Sequence, residues 1–290
     1  MLRPRLTQPP RRRRALPALP RHRRRSRRLR RLPRRGKGGS PLKKVEPILK
    51  VRKLLVRFDS VCALKEASCD FKAGTLTAVL GANGSGKTTL LKAIAGLVPV
   101  TSGKIFYLGE NVTRLPPHER VRMGIQYIPD RARVGLSMTV EENLLVGAYL
   151  RKRKEALRDL ERVYDLFPDL ARHRKDLAGV LSGGQRQMLV VGRALLSSPR
   201  VMLFDEPFLG LSLSMREKIV SLLRELKGEG LTLVVAEHDL DEILPEADEY
   251  LVFLNGEVVM SGRGGPGEVE KLKRRFRQYY GSGRSCGNEG

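Results

Sequence analysis

Short apolar runs separated by turns recur along the chain from about residue 45 onward. The runs ILKVRKLLVRF (48–58), TLTAVL (75–80), LTLVVA (231–236) and YLVFL (250–254) have the length and composition of strands. Other stretches, such as RQMLVVGRALLSS (186–198), show the spacing of an amphipathic helix. This alternation predicts an α/β fold with a mainly parallel sheet as its core.

A more polar stretch interrupts the alternation at about residues 110–178. Within it, the apolar residues of TVEENLLVGAYLRKRKEALRDLERVYDLF (139–167) recur at helical spacing. Thr139 and Glu142 have the spacing of a capping box, which predicts that a helix begins there. We therefore expect a mainly helical insert in the α/β core.

The net charge of +25 is concentrated at the N-terminus. Residues 1–44 contain 19 Lys and Arg and no Asp or Glu, which leaves a net charge of +6 for the remaining residues. The charge and the prolines of this arm predict disorder. Three interpretations remain open: it binds nucleic acid or an anionic membrane, it is a targeting sequence, or it is upstream coding sequence translated from a start assigned too early. The arm has no aromatic residue for base stacking, and we favour the third interpretation.

Cysteine content and hydropathy bear on the cellular compartment. Cys62, Cys69 and Cys286 form no CxxC pair and are odd in number, so we interpret them as free thiols in a reducing cytoplasm. No apolar run approaches the roughly 18 residues that a membrane span requires. The sequence therefore predicts a chain that does not cross a membrane by itself.

A glycine-rich motif lies between a predicted strand and a predicted helix, in TAVLGANGSGKTTLLKAIAGL (77–97). Gly81, Gly86, Lys87 and Thr88 fit G-x-x-x-x-G-K-[ST], whose backbone N–H groups surround phosphates. A lysine in this place reaches the β- and γ-phosphate oxygens, and a threonine offers its hydroxyl to Mg²⁺. We expect a nucleotide site formed by Gly81, Asn83, Gly84, Ser85, Gly86, Lys87, Thr88 and Thr89.

Two further apolar strands end in polar side chains. Asp205 and Glu206 follow VMLF, and we expect Asp205 to hold Mg²⁺ and Glu206 to act as general base for the attacking water. His238 follows LVVAE, where it can contact the γ-phosphate. Taken alone, the acidic pair would be a solvated turn and the histidine a structural residue; the phosphate loop on the same predicted sheet favours the functional interpretation.

The stretch LSGGQRQM (181–188) begins a predicted helix with two adjacent glycines. Ser182 and Gln185 have capping-box spacing, which a plain helix start would also show. Capping does not explain Gly183 and Gly184, each of which disfavours helix by about 1 kcal/mol relative to alanine. Bare backbone at a helix N-terminus suits the close approach of an anion.

The order and spacing of these motifs resemble the ABC-type ATPases. Ser182 lies 95 residues after Lys87, a spacing similar to that of transporter ATP-binding subunits. The resemblance implies an α/β P-loop fold with an N-terminal antiparallel β part and a helical insert. It implies that ATP and Mg²⁺ bind, and that Ser182, Gly183, Gly184 and Gln185 complete the nucleotide site of an opposite subunit.

Segments over about residues 48–281 look like the ATP-binding subunits of branched-chain amino acid importers, or of their urea and short-amide relatives. They include PDRARVGLSMTVEENLLVGAYLR (129–151), YDLFPDL (164–170) and RQYYG (277–281). The resemblance implies an ATPase domain over 45–281 and a tail over 282–290. It implies a homodimer or a heterodimer with a similar subunit, membrane permease partners, an indirect link to a solute-binding receptor, and a location at the cytoplasmic face of the plasma membrane.

Some positions depart from the family pattern. Asp130 stands where many members have glutamine and this subgroup often has glutamate, and we expect it to meet Mg²⁺ or water. Gly135 replaces a phenylalanine common in the subgroup, and His238 is a histidine that the subgroup often replaces. Phe58 best matches the aromatic residue that stacks on adenine; the alternative is a core residue of a strand.

Two other functional classes are open. A soluble ABC-type ATPase acting on nucleic acid or ribosomes would use the basic arm, but such proteins commonly have two cassettes or a coiled-coil insert. A regulatory module that holds ATP without turnover is disfavoured by the presence of both Asp205 and Glu206. The sequence thus favours an ATP-hydrolysing importer subunit over a nucleic-acid partner.

Overall fold

The computed structural model describes residues 47–131 and 133–281. The predicted arm (1–44) and the predicted tail (282–290) lie outside the described residues. Cys62 and Cys69 are free thiols, as predicted, and Cys286 lies in the undescribed tail. Among the described helices, none combines the length and apolar character needed to cross a membrane.

The apolar runs form strands of two sheets. Within the described residues the strands are β1 (Pro47–Phe58), β2 (Val61–Lys72), β3 (Leu76–Leu80), β4 (Ser102–Tyr107), β5 (Glu110–Asn111), β6 (Ile125–Ile128), β7 (Val201–Asp205), β8 (Thr232–Glu237), β9 (Glu249–Leu254) and β10 (Glu257–Arg263). One sheet has the order β2-β1-β4-β5 and is antiparallel. The other has the order β10-β9-β3-β8-β7-β6 and is parallel except for β10. Both the parallel core and the antiparallel N-terminal part are therefore confirmed.

Most of the helices lie in the connections between strands, and the last one follows β10. In the described residues they are α1 (Lys87–Ala95), α2 (Pro117–Met123), α3 (Val140–Val146), α4 (Arg153–Leu166), α5 (Pro168–Arg172), α6 (Gly183–Leu195), α7 (Leu213–Gly228), α8 (Leu240–Ile243) and α9 (Glu268–Gly281). The capping boxes predicted at Thr139 and Ser182 are present, with both reciprocal hydrogen bonds formed. Helix starts were thus readable from local side-chain chemistry.

The parallel sheet brings the candidate site together. Every residue of β3, β7 and β8 is buried, which explains their nearly uninterrupted apolar sequences. β8 lies between β3 and β7 in parallel register. Because parallel strands end at the same edge, the segments that follow these three strands meet there.

The helical insert begins later than the predicted boundary of about residue 110. Residues 110–128 contain β5, α2 and β6, and β6 is an edge strand of the parallel sheet. The strand is only four residues long and lies between Gly124 and Pro129, so its apolar pattern is too short to predict a strand from sequence. The helices of the insert begin at Val140.

A buried cation fixes the C-terminal end of α1, the helix that follows the glycine-rich loop. Arg120 is almost fully buried and donates through Nη1 to the carbonyls of Ala93 and Ile94, both at 2.7 Å. Its Nε donates to Leu115 O at 2.9 Å and its Nη2 to Thr113 O at 2.8 Å. Burial lowers the pKa of Arg120 to about 10, so the side chain stays charged at neutral pH. A cation at this position matches the negative end of the helix dipole.

Candidate functional site

The loop between β3 and α1 has a backbone that only glycine accommodates. Gly81 and Gly86 have φ angles of 150° and 109°. A Cβ on Gly81 would lie 2.4 Å from Phe253 O, and one on Gly86 would lie 2.8 Å from Ala63 O. The predicted phosphate loop therefore has the tight backbone that its glycines indicate.

Lys87, the first residue of α1, is held inside this loop. Its side chain is buried, and Nζ donates to Gly81 O at 2.8 Å and to Ala82 O at 3.1 Å. Nζ lies 3.9 Å from Glu206 Oε1. Burial lowers the pKa of Lys87, and the carboxylates of Glu206, Glu237 and Asp205 oppose that shift. A partly desolvated ammonium bonded to neutral carbonyls is well suited to an incoming phosphate.

Asp205, the last residue of β7, has a donor on each oxygen. Thr88 Oγ1 donates to Oδ1 at 2.8 Å, and Tyr127 Oη donates to Oδ2 at 2.7 Å. Burial and the bond to Asp205 raise the pKa of Tyr127, which keeps the phenol protonated and donating. The carboxylate is thus buried and fixed beside the hydroxyl of the phosphate loop.

Glu206 follows Asp205 in a left-handed backbone conformation, with φ = 46°. This conformation is uncommon outside glycine. Its N–H donates to Ala236 O at 2.9 Å, and its own carbonyl accepts from Leu209 N at 3.2 Å. The turn sends its partly buried side chain into the same cavity as Lys87.

Glu237 and His238 end β8 with opposite environments. The Glu237 side chain is about 1% exposed, and burial raises its pKa to about 7. It accepts from Phe208 N at 3.2 Å and from His238 N at 3.3 Å. The His238 side chain is 49% exposed, with Nδ1 3.6 Å from Glu237 Oε2. The sequence pattern indicated a role for the histidine and none for the glutamate.

A cavity of about 460 Å³ lies over the phosphate loop. The first residues of β2 and the β9–β10 turn contribute to its walls. Its lining residues are Val61, Cys62, Ala63, Lys65, Asn83, Gly84, Gly86, Lys87, Thr88, Thr89, Glu206, Asn255 and Gly256. Two further predicted members of the loop, Gly81 and Ser85, are buried.

Phe58 is not a core residue, because 41% of it is exposed. It ends β1 and pairs with Val61 across the β1–β2 turn. Val61 lines the cavity, whereas Phe58 is not among the lining residues. The alternative of a core phenylalanine is therefore wrong, and adenine stacking stays a prediction.

Asp130 stands near the site but does not join it directly. It follows β6 and pairs with the adjacent Arg131 at 4.0 Å. Its negative charge contributes to the raised pKa of Tyr127, the tyrosine that contacts Asp205. No described hydrogen bond or ion pair links Asp130 to Thr88 or Asp205, so its contact with a metal stays a prediction.

The LSGGQ segment lies outside the cavity lining. Ser182 is the N-cap of α6: its Oγ accepts from Gln185 N at 3.2 Å, and its own N–H donates to Gln185 Oε1 at 2.8 Å. Space is open where a Cβ on Gly183 would stand. A Cβ on Gly184 would lie 2.5 Å from Met215 Cε, so the Met215 side chain would have to move to accept a larger residue there.

Sequence reasoning missed three residues at or beside the site: Tyr127, Glu237 and Met215. Glu237 had a visible signal, a carboxylate directly after the apolar run LVVA in a buried strand. Tyr127 had none, because one aromatic residue in a four-residue strand reads as packing. Met215 had none either, because its contact with Gly184 depends on how α6 and α7 pack.

Comparison with known proteins decides the family. The family model described as "ABC transporter" matches residues 64–209, about half of the chain, from the β2 strand to the segment after Glu206. The chain belongs to the ABC transporter family. As an ATP-binding subunit of this family it binds and hydrolyses ATP, and such subunits work with membrane permease components.

Named relatives cover most of this ABC subunit. The high-affinity branched-chain amino acid transport ATP-binding protein BraG of Pseudomonas aeruginosa is 36% identical over 75% of the chain and 93% of the relative. The probable branched-chain amino acid transport ATP-binding protein LivF of Archaeoglobus fulgidus is 38% identical over 74% of the chain and 92% of the relative. The nucleic-acid alternative finds no support among the comparisons.

Solved structures agree with the fold. The ADP conformation of MJ1267, an ATP-binding cassette of an ABC transporter, superposes with a TM-score of 0.72 at 28% identity, over 81% of this chain and 99% of that one. The ATP-binding cassette MJ0796, a dimer in a post-hydrolysis state bound to ADP and Pi, gives a TM-score of 0.65 at 25% identity, over 74% of this chain and 98% of that one. The α/β ABC-type fold is therefore confirmed.

Proposed function

We propose that this ABC ATPase is the energy-coupling subunit of an importer for branched-chain amino acids or related small polar solutes. The observation that carries the proposal is the identity of 36–38% with two subunits named for branched-chain amino acid transport, over more than nine-tenths of each relative's length. The same likeness supports an ATPase domain over residues 45–281, with residues 1–44 and 282–290 outside it.

Each side chain at the cavity then has a chemical role. The loop from Gly81 to Thr89 binds the phosphates through its N–H groups, and Lys87 pairs with the β- and γ-phosphate oxygens. Glu206 polarises the attacking water as general base, supported by its place 3.9 Å from Lys87 Nζ. His238 contacts the γ-phosphate, and Phe58 stacks on adenine beside Val61.

The donor set fits Mg²⁺ bound together with a nucleotide. Thr88 Oγ1 and Asp205 Oδ1 are 2.8 Å apart, and carboxylate and hydroxyl oxygens are ligands that Mg²⁺ prefers. No cluster of three or more His, Cys, Asp or Glu suited to a metal occurs in residues 47–131 and 133–281, which agrees with an ion held mainly by phosphates and water. Mg²⁺ bound there would neutralise charge on the β- and γ-phosphate oxygens. Asp130 would act through water.

Tyr127→Phe is expected to raise the Mg²⁺ concentration needed for half-maximal ATPase activity about tenfold, because Asp205 loses one of the two donors that orient it. Tyr107→Phe is the matched control, because Tyr107 is also buried but donates to Met123 O. Mg²⁺ titrations of both turnover and fluorescent-ATP binding measure the effect. An unchanged Mg²⁺ requirement in the Tyr127 variant would contradict the role given to Asp205.

A second ATPase subunit completes the site. The LSGGQ segment carries two exposed residues, Ser182 and Gly183, and does not line the cavity of its own chain. We infer that this segment binds the γ-phosphate held by an opposite subunit, which is a second copy or a similar ATPase. ATP closes this dimer, and hydrolysis reopens it.

The permease partner docks on exposed apolar residues of the insert. Leu136, Leu177 and Val180 are 57%, 50% and 69% exposed, and we name them the insert patch. Backbone bonds hold them together: Gly179 N donates to Leu136 O, and Val180 N to Leu177 O, both at 3.1 Å. Exposed apolar clusters mark interaction sites, and two of these residues, Leu177 and Val180, lie just before Ser182 in the chain. Docking there supports a location at the cytoplasmic face of the membrane.

Purification from detergent-solubilised membranes of the native host tests the proposal. The tagged chain should retain membrane permease subunits, and the complex in proteoliposomes should drive ATP-dependent uptake of labelled leucine, isoleucine or a short amide when the receptor is added. Recovery of the chain without any membrane protein would contradict a transport role. A permease complex that imports only unrelated solutes would contradict the solute class.

A further inference from the structure

The turn that carries Glu206 is strained and is clamped from β8. With φ = 46°, Glu206 has a left-handed backbone conformation that a non-glycine residue adopts only when its surroundings enforce it. Two acceptors of β8 hold the two sides of the turn. Ala236 O accepts from Glu206 N at 2.9 Å, and Glu237 Oε1 accepts from Phe208 N at 3.2 Å.

The second acceptor is a buried carboxyl that the proposed chemistry does not use. Glu237 is about 1% exposed, and its remaining oxygen accepts from His238 N at 3.3 Å. It lies next to Leu80, the last residue of β3 before the phosphate loop, in the β3–β8 register. Burying such a group is unfavourable unless its hydrogen bonds are made, so its position points to a specific task.

We infer that Glu237 is a positioning residue, whose carboxyl holds the turn of Glu206 and the backbone of His238 in one fixed arrangement facing the γ-phosphate. It does so through Phe208 N on one side and His238 N on the other. This inference rests on the roles proposed for Glu206 and His238.

Two replacements of Glu237 distinguish the hydrogen bonds that its two carboxyl oxygens accept. Glu237→Ala removes both acceptors, whereas Glu237→Gln keeps an oxygen for Phe208 N and places an amide donor toward His238 N. With the turn released, Glu206 samples conformations that point away from the attacking water. Glu237→Ala should therefore lower kcat about 10- to 100-fold, while KM for ATP stays within about threefold of wild type. The kcat of Glu237→Gln should lie between those of wild type and Glu237→Ala.

Hydrogen–deuterium exchange of the full chain measures directly how well the backbone amides of this turn are held. Glu237→Ala should speed exchange at Phe208 and His238 by about tenfold, and Glu237→Gln mainly at His238. Thr77→Val is the matched control, because Thr77 is equally buried on neighbouring β3, but toward the end of the strand away from the phosphate loop. It should change neither exchange at these two amides nor kcat.

Two results would overturn the inference. One is a Glu237→Ala enzyme with kcat within about twofold of wild type. The other is a loss of kcat in Glu237→Ala with unchanged exchange at Phe208 in that variant. Exchange does not depend on which residue activates water, so a wrong assignment of Glu206 would leave the exchange prediction standing and would appear only in the turnover of Glu206 variants.

Discussion

Glu206→Gln is expected to lower the rate of ATP hydrolysis by about 10²–10⁴-fold, the usual contribution of a general base. Glutamine keeps the shape of the side chain but cannot accept a proton from water. ATP binding should be retained or tighter, because a negative charge 3.9 Å from Lys87 Nζ is removed from beside the triphosphate. Phosphate release measures turnover, and equilibrium binding of a fluorescent ATP analogue measures affinity.

The control for this variant is Glu257→Gln, which makes the same chemical change at an exposed position of β10. It should leave both turnover and binding at wild-type values. A Glu206→Gln enzyme with undiminished turnover would mean that another group activates the water. Two other carboxylates, Asp205 and Glu237, also act on Lys87 from strand ends. Glu237 would then be the first alternative, because Asp205 is the proposed Mg²⁺ ligand.

The sequence predicted those parts of the site that are formed by residues close together in the chain. The glycine-rich loop needs Gly81, Gly86 and Lys87 within seven positions, and the acidic pair follows directly on a buried strand. Both capping boxes were readable for the same reason, since a box spans only four residues. Parallel strands then bring these local motifs to one edge of a sheet without further information.

What the sequence did not reveal depends on contacts between distant residues. Tyr127 and Asp205 are 78 positions apart, and Phe208 and Glu237 are 29 apart. No spacing rule connects such pairs, because they meet only after β6, β7 and β8 have taken their places in the sheet. The late start of the helical insert has the same cause: β6 is recognisable as a strand only beside β7.

The two glycines of the LSGGQ segment have different surroundings. Sequence reasoning assigned both to an opposite subunit's nucleotide. In the structure Gly184 faces Met215 of α7, whereas the space beside Gly183 is open. α7 begins at Leu213, after the turn that carries Glu206. Ser182 and Gly183 remain as the exposed part that a second subunit can reach.

Ser182→Arg is expected to reduce ATP hydrolysis by about 10²–10³-fold or to abolish it, because a long side chain fills the space where the opposite subunit's γ-phosphate would bind. The affinity of the separate subunit for ATP should not change, since Ser182 does not line its own cavity. Steady-state turnover at high protein concentration and equilibrium binding at low concentration measure the two quantities.

Loss of the N-cap alone would weaken α6 by about 1 kcal/mol, and Thr139→Arg controls for that effect. Thr139 caps α3 with the same capping box but lies outside the LSGGQ segment, so its arginine variant should still hydrolyse ATP.

Mixing Ser182→Arg subunits with Lys87→Ala subunits tests whether each LSGGQ segment acts on the nucleotide site of the opposite subunit. In a dimer of two copies, one of the two sites combines an intact loop with an intact LSGGQ segment, so the mixture should recover up to about a quarter of wild-type turnover. A Ser182→Arg subunit that no longer binds ATP would place the segment in its own site and contradict the arrangement.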